Sequence, residues 1–367
     1  MKKFVALLLA AMMLMSVAAF ASADGEAMRV ALITDVGTIT DQSFNQTTYE
    51  AMVAWCETNG VECTYYQPAS DTDADRIAMI DKAVDEGYNV LLMPGFKFGP
   101  AIGEVQDEYP DVKFIAIDVG EGDLGGAELS GNVYCAVYQE ELCGYMAGYA
   151  AVKLGYKHLG FLGGMAVPAV VRYGFGFVQG ANQAAVELGI ADQVTVEYVY
   201  GNQFFGDADI TAAMDTWYQN LGVEVVFACG GGIYTSAAEA AQKVGGKVIG
   251  VDVDQAAAID GTYGEGMTVT SAMKGLGATV QALLTEIKAG NFAPYGGKVD
   301  TLGLVSEVPA ENYVQIAPST QFVEGVFGET EYNALVGAML AGDITVSNAI
   351  DAMPETAITV NDQGSVK

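Results

Sequence analysis

The chain has 367 residues, enough for two or three domains of ordinary size, and 51% of them are hydrophobic, enough to fill large cores. Its 46 acidic residues against 16 Lys and Arg give a net charge of −30, which repels phosphate backbones and anionic membrane surfaces and excludes nucleic-acid binding through a basic patch.

The N-terminus reads as an export signal over residues 1–23. Lys2 and Lys3 form a charged start, Phe4 to Val17 an apolar stretch, and Ala18-Ala19-Phe20-Ala21-Ser22-Ala23 the small residues of a cleavage site, after Ala21 or Ala23. No later run is apolar and long enough to span a bilayer. The first cysteine is Cys56, so no lipidated cysteine is expected at the cleavage site, and the mature protein is expected free in the periplasm or outside the cell.

From Arg29 onward, strand and helix signals alternate. Arg29 to Thr34 is an apolar run ending at Asp35. Asp41 or Ser43 can cap a following helix whose Met52, Trp55 and Cys56 recur at helical spacing until Gly60 stops it. A strand over Glu62–Tyr66 and a helix from Asp73 to about Glu86 come next, then buried-type strands at Asn89–Met93 and Lys113–Asp118. Such continuous apolar strands between helices predict a parallel sheet covered on both faces.

The second half repeats this grammar. His158–Gly164 is again a strand ending in glycines, a helix is expected around Gly176–Leu188, and Val194–Tyr200 corresponds to Glu62–Tyr66. Val223–Gly231 mirrors Tyr88–Gly95, and Lys247–Asp252 mirrors Lys113–Asp118, at nearly equal intervals. The fold class is therefore α/β, with two similar doubly wound lobes. Open α/β sheets bind ligands beyond the carboxyl ends of their strands, and two facing lobes make a cleft. Asp35, Asp118 and Asp252 stand at those strand ends, with glycines at Gly163, Gly164 and Gly230–Gly232.

Enzyme chemistry finds little support. The one histidine, His158, lies before an apolar strand beside Lys157, so a Ser-His-Asp triad is not expected. No GxxxxGK[ST] is present, and Gly230-Gly231-Gly232 is not GxGxxG. Pairs of carboxylates suited to glycoside hydrolysis are available in number, but no spacing singles one out. No metal site and no cofactor are expected, since no CxxC or Cys/His cluster occurs. Among the five cysteines, Cys56/Cys63 and Cys135/Cys143 are close enough in sequence to bridge; the other reading is a set of buried free thiols.

A binding site fits the inventory better. The three aspartates accept from hydroxyls or ring N–H groups unless they serve as caps, and Asn45 both donates and accepts. Phe44, Phe177 and Phe205 lie in loops or near helix starts, where a ring either packs in the core or stacks on a flat ligand.

The segment Thr34-Asp35-Val36-Gly37, continuing to Asp41-Gln42-Ser43-Phe44-Asn45-Gln46, resembles the opening of the basic membrane protein family, which are substrate-binding proteins of ABC transporters and often nucleoside receptors. The resemblance continues at Lys113–Asp118, Arg172–Gly180, Gly201–Asp207, Phe227–Tyr234 and Asp252–Lys274, nearly the whole mature chain. It implies the type I periplasmic binding protein fold, two Rossmann-like lobes joined by a hinge. The expected division is 28–137 plus about 254–300 for one lobe, 138–253 plus about 301–320 for the other, and 321–367 as an extension packed on a lobe.

Carried over residue by residue, the family's site implies that Phe44 and Phe205 sandwich a purine, with Asp118 and Asn45 bonding the base. Asp252 and Lys274 would hold the ribose, helped by backbone at Gly230–Gly232. Asp35 would sit near the cleft and Phe177 beneath the pocket. The run Asn202-Gln203-Phe204-Phe205-Gly206-Asp207 departs from the family's shorter pattern, so Phe204 can take the place of Phe205. The implied protein is a monomer that delivers a nucleoside to a membrane permease. Rival readings are the same fold binding a sugar or other metabolite, an exported nucleoside or glycoside hydrolase, and a ligand-sensing partner of a membrane receptor.

Overall fold

The computed structural model describes residues 27–35 and 37–367; the expected signal over residues 1–23 lies outside the described residues. The first half runs β1 (Arg29–Ile33), α1 (Phe44–Asn59), β2 (Glu62–Tyr66), α2 (Asp73–Asp85), β3 (Val90–Pro94), α3 (Gly99–Val105), β4 (Lys113–Ile117) and β5 (Val133–Tyr138). After α4 (Glu140–Lys153) the pattern repeats as β6 (His158–Gly163), α5 (Pro168–Leu188), β7 (Thr195–Tyr200), α6 (Ala208–Asp215), β8 (Val225–Cys229), α7 (Tyr234–Gln242), β9 (Lys247–Asp252), α8 (Ala256–Tyr263) and β10 (Thr268–Lys274). The chain continues with α9 (Leu276–Lys288), β11 (Lys298–Leu302), β12 (Val314–Ile316), α10 (Glu329–Ala341) and β13 (Thr359–Ser365).

The strands form two sheets, ordered β11-β5-β4-β3-β1-β2 and β12-β10-β9-β8-β6-β7-β13. Their pairings are parallel, with β12 antiparallel to β10. Both sheets share one doubly wound core order, β2-β1-β3-β4-β5 and β7-β6-β8-β9-β10, in which the winding reverses beside the first strand of each lobe. The apolar runs of β3 and β8 are buried along their whole length, as parallel strands covered on both faces must be.

The lobe boundaries differ from those expected. Strand β10 pairs with β9 in the second sheet, so 254–274 stays with the second lobe and the chain crosses back only at Gly275. The sequence pairing of the two halves stopped at four strands, whereas each lobe needs a fifth, and β10 is the counterpart of β5. After Gly275, α9 packs on α1, where the Trp55 Nε1 donates to Thr285 Oγ1 at 2.9 Å, and β11 joins the first sheet. In the C-terminal extension, α10 buries Tyr332, Leu335, Val336 and Met339, its Tyr332 hydroxyl accepts from the Ile316 N–H at 3.0 Å, and β13 pairs with β7 at the sheet edge. Helix α5 begins at Pro168, a turn or two before the expected Gly176, because proline's fixed φ and missing N–H suit a first helical position. All five cysteines carry free thiols, Cys63 half-buried and the rest buried.

Three chain crossings join the lobes, and they lie side by side. The Gln139 N–H donates to Leu302 O at 3.0 Å, Tyr313 N–H to Gly303 O at 3.0 Å, and Gly275 N–H to Tyr313 O at 2.8 Å. Gly303 has no room for a side chain, since a Cβ there would lie 1.6 Å from the Gln139 amide oxygen.

Helices α4 and α5 meet backbone to backbone along a row of glycines. A Cβ on Gly144 would come within 2.2 Å of Tyr173 O, on Gly148 within 2.1 Å of Phe177 O, on Gly176 within 2.2 Å of Glu141 O, and on Gly180 within 2.0 Å of Tyr145 O. This seam fixes Glu140 and Glu141 against Arg172 and Tyr173. Gly148→Ala is expected to destabilise the protein by roughly 1–3 kcal/mol in urea unfolding, because the helices must separate. Gly337→Ala on α10, where nothing lies within 4 Å of the added methyl, is expected to stabilise by about 0.5–1 kcal/mol. Equal effects of the two substitutions would contradict the seam.

Candidate ligand-binding cleft

The carboxyl ends of both sheets face a cavity of about 810 Å³. The first lobe contributes Asp35, Phe44, Asn45 and Asp118, and the second Phe204, Gly230, Asp252 and Lys274. They sit at the carboxyl ends of β9 and β10, in the segments that follow β1, β4, β7 and β8, and on the first turn of α1, at the place where doubly wound sheets bind ligands.

Asp118 follows β4 and Asp252 ends β9, matched positions in the two lobes, and both have left-handed backbone, φ 61° and 66°. Aspartate is among the few residues that adopt this region readily, and the bend it makes turns each carboxylate into the cleft. Asp35 accepts from the Gly37 N–H at 2.7 Å and the Asn45 amide at 3.3 Å. Gly95 makes room for it, since a Cβ there would lie 2.7 Å from Asp35 Oδ2.

The cap of α1 resolves the choice left open between Asp41 and Ser43. The Asp41 carboxylate accepts from the N–H groups of Ser43, Asn45 and Gln46 at 2.9, 3.0 and 3.1 Å. Ser43, relieved of capping, donates its hydroxyl across the cleft to Asp252 Oδ2 at 2.7 Å.

At the centre stands Lys274, its side chain 3% exposed. Its Nζ lies 2.5 Å from Asp118 Oδ2, 3.6 Å from Glu140 Oε1 and 3.7 Å from Asp252 Oδ1, with the Phe44 ring centroid 4.9 Å away. Burial pulls the ammonium toward neutrality, but the carboxylates of Asp118, Asp252 and Glu140 outweigh it and hold the group well above the ordinary lysine range. Arg172 Nε donates to Glu140 Oε2 at 2.7 Å, so two cations face three carboxylates. Burial, reinforced by Glu140 and Asp252 and opposed by Lys274, pushes Asp118 up to about 6. Burial also raises Asp252, and it lifts Glu141 to about 7. Among the described residues, Asn45 Oδ1 and Asp118 Oδ1 are buried acceptors with no hydrogen-bond donor.

The aromatic residues divide differently from expectation. Phe205 is 62% exposed at the rim, while the Phe204 ring lies over Gly164 and Gly230, where a Cβ would come within 2.4 and 3.0 Å of it. Those glycines therefore seat a ring. Phe177 does not reach the cavity; it is fully buried, with its ring 5.4 Å from that of Phe227 and 6.4 Å from that of Phe161. It lies one turn beyond Tyr173 on α5, facing the sheet. No site role was expected for Glu140, Arg172 or Tyr173, and Ser43 stood only as a candidate helix cap. Two consecutive acids opening an apolar, glycine-containing helix were the available signal for Glu140.

A carboxyl held above its unfolded value contributes stability that is complete below the unfolded value, about 3.9, and is lost as pH rises through the folded one. In urea unfolding, the wild type is expected to gain stability relative to Asp118→Asn as pH falls through about 6. A gap that moves the other way would mean that Lys274 dominates.

A family model described as ABC transporter substrate-binding protein PnrA-like matches residues 28–319. The ABC transporter nucleoside-binding protein BmpA of Lactococcus lactis subsp. cremoris is 28% identical over 298 residues, 76% of this chain and 79% of its own length. Basic membrane protein B of Borreliella burgdorferi is 25% identical over 282 residues, covering 76% of this chain and 78% of that one. An ABC transporter solute-binding protein from Conexibacter woesei shares the fold, with a TM-score of 0.66 at 21% identity over 88% of this chain and 99% of that one.

Proposed function

The chain belongs to the PnrA-like family of ABC transporter substrate-binding proteins, and from that premise we propose that it captures a purine nucleoside between its lobes and delivers it to a membrane permease. The observation that carries this reading is a pair of aromatic rings, Phe44 from one lobe and Phe204 from the other, lining one cavity together with buried acceptors that lack donors. A planar base between the rings presents N–H groups to Asp118 and Asn45, and the ribose hydroxyls turn to Asp252 and Lys274. The name of the Lactococcus lactis relative, a nucleoside-binding protein, supports the same class.

The protein acts outside the cytoplasmic membrane as a monomer, on an export signal at residues 1–23, and binds without catalysis. No helix among the described residues is long and apolar enough to cross a membrane. Ligand held by both lobes favours their closed arrangement, and that shape is what a permease reads.

A thermal-shift panel of nucleosides, free bases, pentoses and hexoses, run on protein refolded to strip any carried ligand, tests the reading. A nucleoside at a hundred times its Kd stabilises by about 2.7 kcal/mol and raises Tm by several degrees. Phe44→Ala and Phe204→Ala are each expected to weaken binding by about 1–3 kcal/mol, and Phe205→Ala by much less. Shifts with sugars alone would overturn the nucleoside assignment.

A further inference from the structure

We propose that Arg172 selects the base, favouring 6-oxopurine nucleosides such as inosine and guanosine over adenosine. The proposal rests on the nucleoside reading above and narrows it. Arg172 lines the cavity with its side chain 19% exposed, and only its Nε is engaged, on Glu140. Its two terminal nitrogens have no acceptor among the described residues. They stand beside a second set of donors. Helix α5 starts at Pro168, which has no N–H, and Val167 before it offers no side-chain cap, so the Ala169 and Val170 N–H groups at the cavity wall have no acceptor among the described residues either. One wall of the cleft thus presents donors only.

The acceptors stand nearby. Asp118, close enough to Arg172 to strengthen its charge, keeps Oδ1 without a donor. Lys274 cannot reverse this pattern, because its ammonium is surrounded by Asp118, Glu140 and Asp252. The wall therefore asks for a ligand edge on which an acceptor adjoins a donor. A 6-oxopurine has that edge: O6 and N7 accept, which is the pattern an arginine fork reads bidentately, and N1–H donates to a carboxylate. Adenine reverses it, setting an N6 amino group against the guanidinium and an N1 lone pair against Asp118.

A phosphate is the other ligand that donors at a helix start invite. Here Asp118, Glu140 and Glu141 all act electrostatically on Arg172, and Arg172 acts on Asp123. A dianion would enter a field that is already negative, whereas a neutral carbonyl oxygen takes the same donors without that cost.

Isothermal titration calorimetry of the full chain with inosine, guanosine, adenosine, inosine 5′-monophosphate and ribose tests the proposal. Inosine and guanosine are expected to bind about tenfold to a hundredfold more tightly than adenosine, the discrimination of one good bidentate pair, and the monophosphate more weakly than inosine. Arg172→Met, paired with Glu140→Gln so that no carboxylate is left without its partner, is expected to close most of that gap by weakening the oxopurine nucleosides more than adenosine. Adenosine binding as tightly as inosine in the wild type overturns the proposal alone, and this arm needs no variant to fold. A variant that weakens all three nucleosides equally also overturns it, assigning Arg172 to support of Glu140. Binding of ribose with no nucleoside bound overturns both the proposal and the reading it rests on.

Discussion

Lys274 holds a positive charge almost wholly out of water, and the geometry of the cleft follows from what that charge requires. An ammonium moved into a protein interior loses several kcal/mol of hydration after relaxation, and only well-placed carboxylates make up the loss. Asp118 comes from the first lobe, Asp252 from the second, and Glu140 from the start of α4. Two of the three are held by something further: Asp252 by Ser43 and Tyr173, at 2.7 and 3.5 Å, and Glu140 by Arg172. Removing the lysine would leave three buried carboxylates to share one arginine.

The glycine row between α4 and α5 is what brings those charges into range. Side chains at Gly144 and Gly176 would drive Glu141 and Tyr173 apart, and with them Glu140 and Arg172 at the same helix starts. The packing of the second lobe and the electrostatics of the cleft are thus one arrangement. Burial there raises Glu141 as it raises Asp118.

Much of this was legible in the sequence where the signal was local. Apolar runs closed by Asp35, Asp118 and Asp252 marked the carboxyl edge of each sheet, and the two halves repeated the same order. What escaped depended on contacts distant in the chain. Nothing local says that β10 pairs with β9 or that Ser43 answers to Asp252, because Asp41 and Ser43 are equally good caps on paper. Neighbouring phenylalanines at 204 and 205 differ only in which one meets the glycines at 164 and 230. Phe177 was misplaced for a related reason: helical phase around a glycine-rich stretch does not say which face meets the sheet, and packing against Phe227 decides it.

Two of the three crossings lie one residue from the charges. Glu140 follows Gln139, and Lys274 precedes Gly275. Lys274 to Asp118, Ser43 to Asp252, and the Gln255 amide to Gln42 O at 3.1 Å all run from one lobe to the other. The cleft is therefore also the clasp of the molecule. A rigid parting of the lobes must pull an ammonium from its counter-ion and let water onto both, so opening exchanges a buried ion pair for hydrated ions. Such a clasp answers to acidity, since Asp118 takes up a proton as pH falls through about 6, which ties the resting arrangement of the lobes to the solution around them before any ligand arrives.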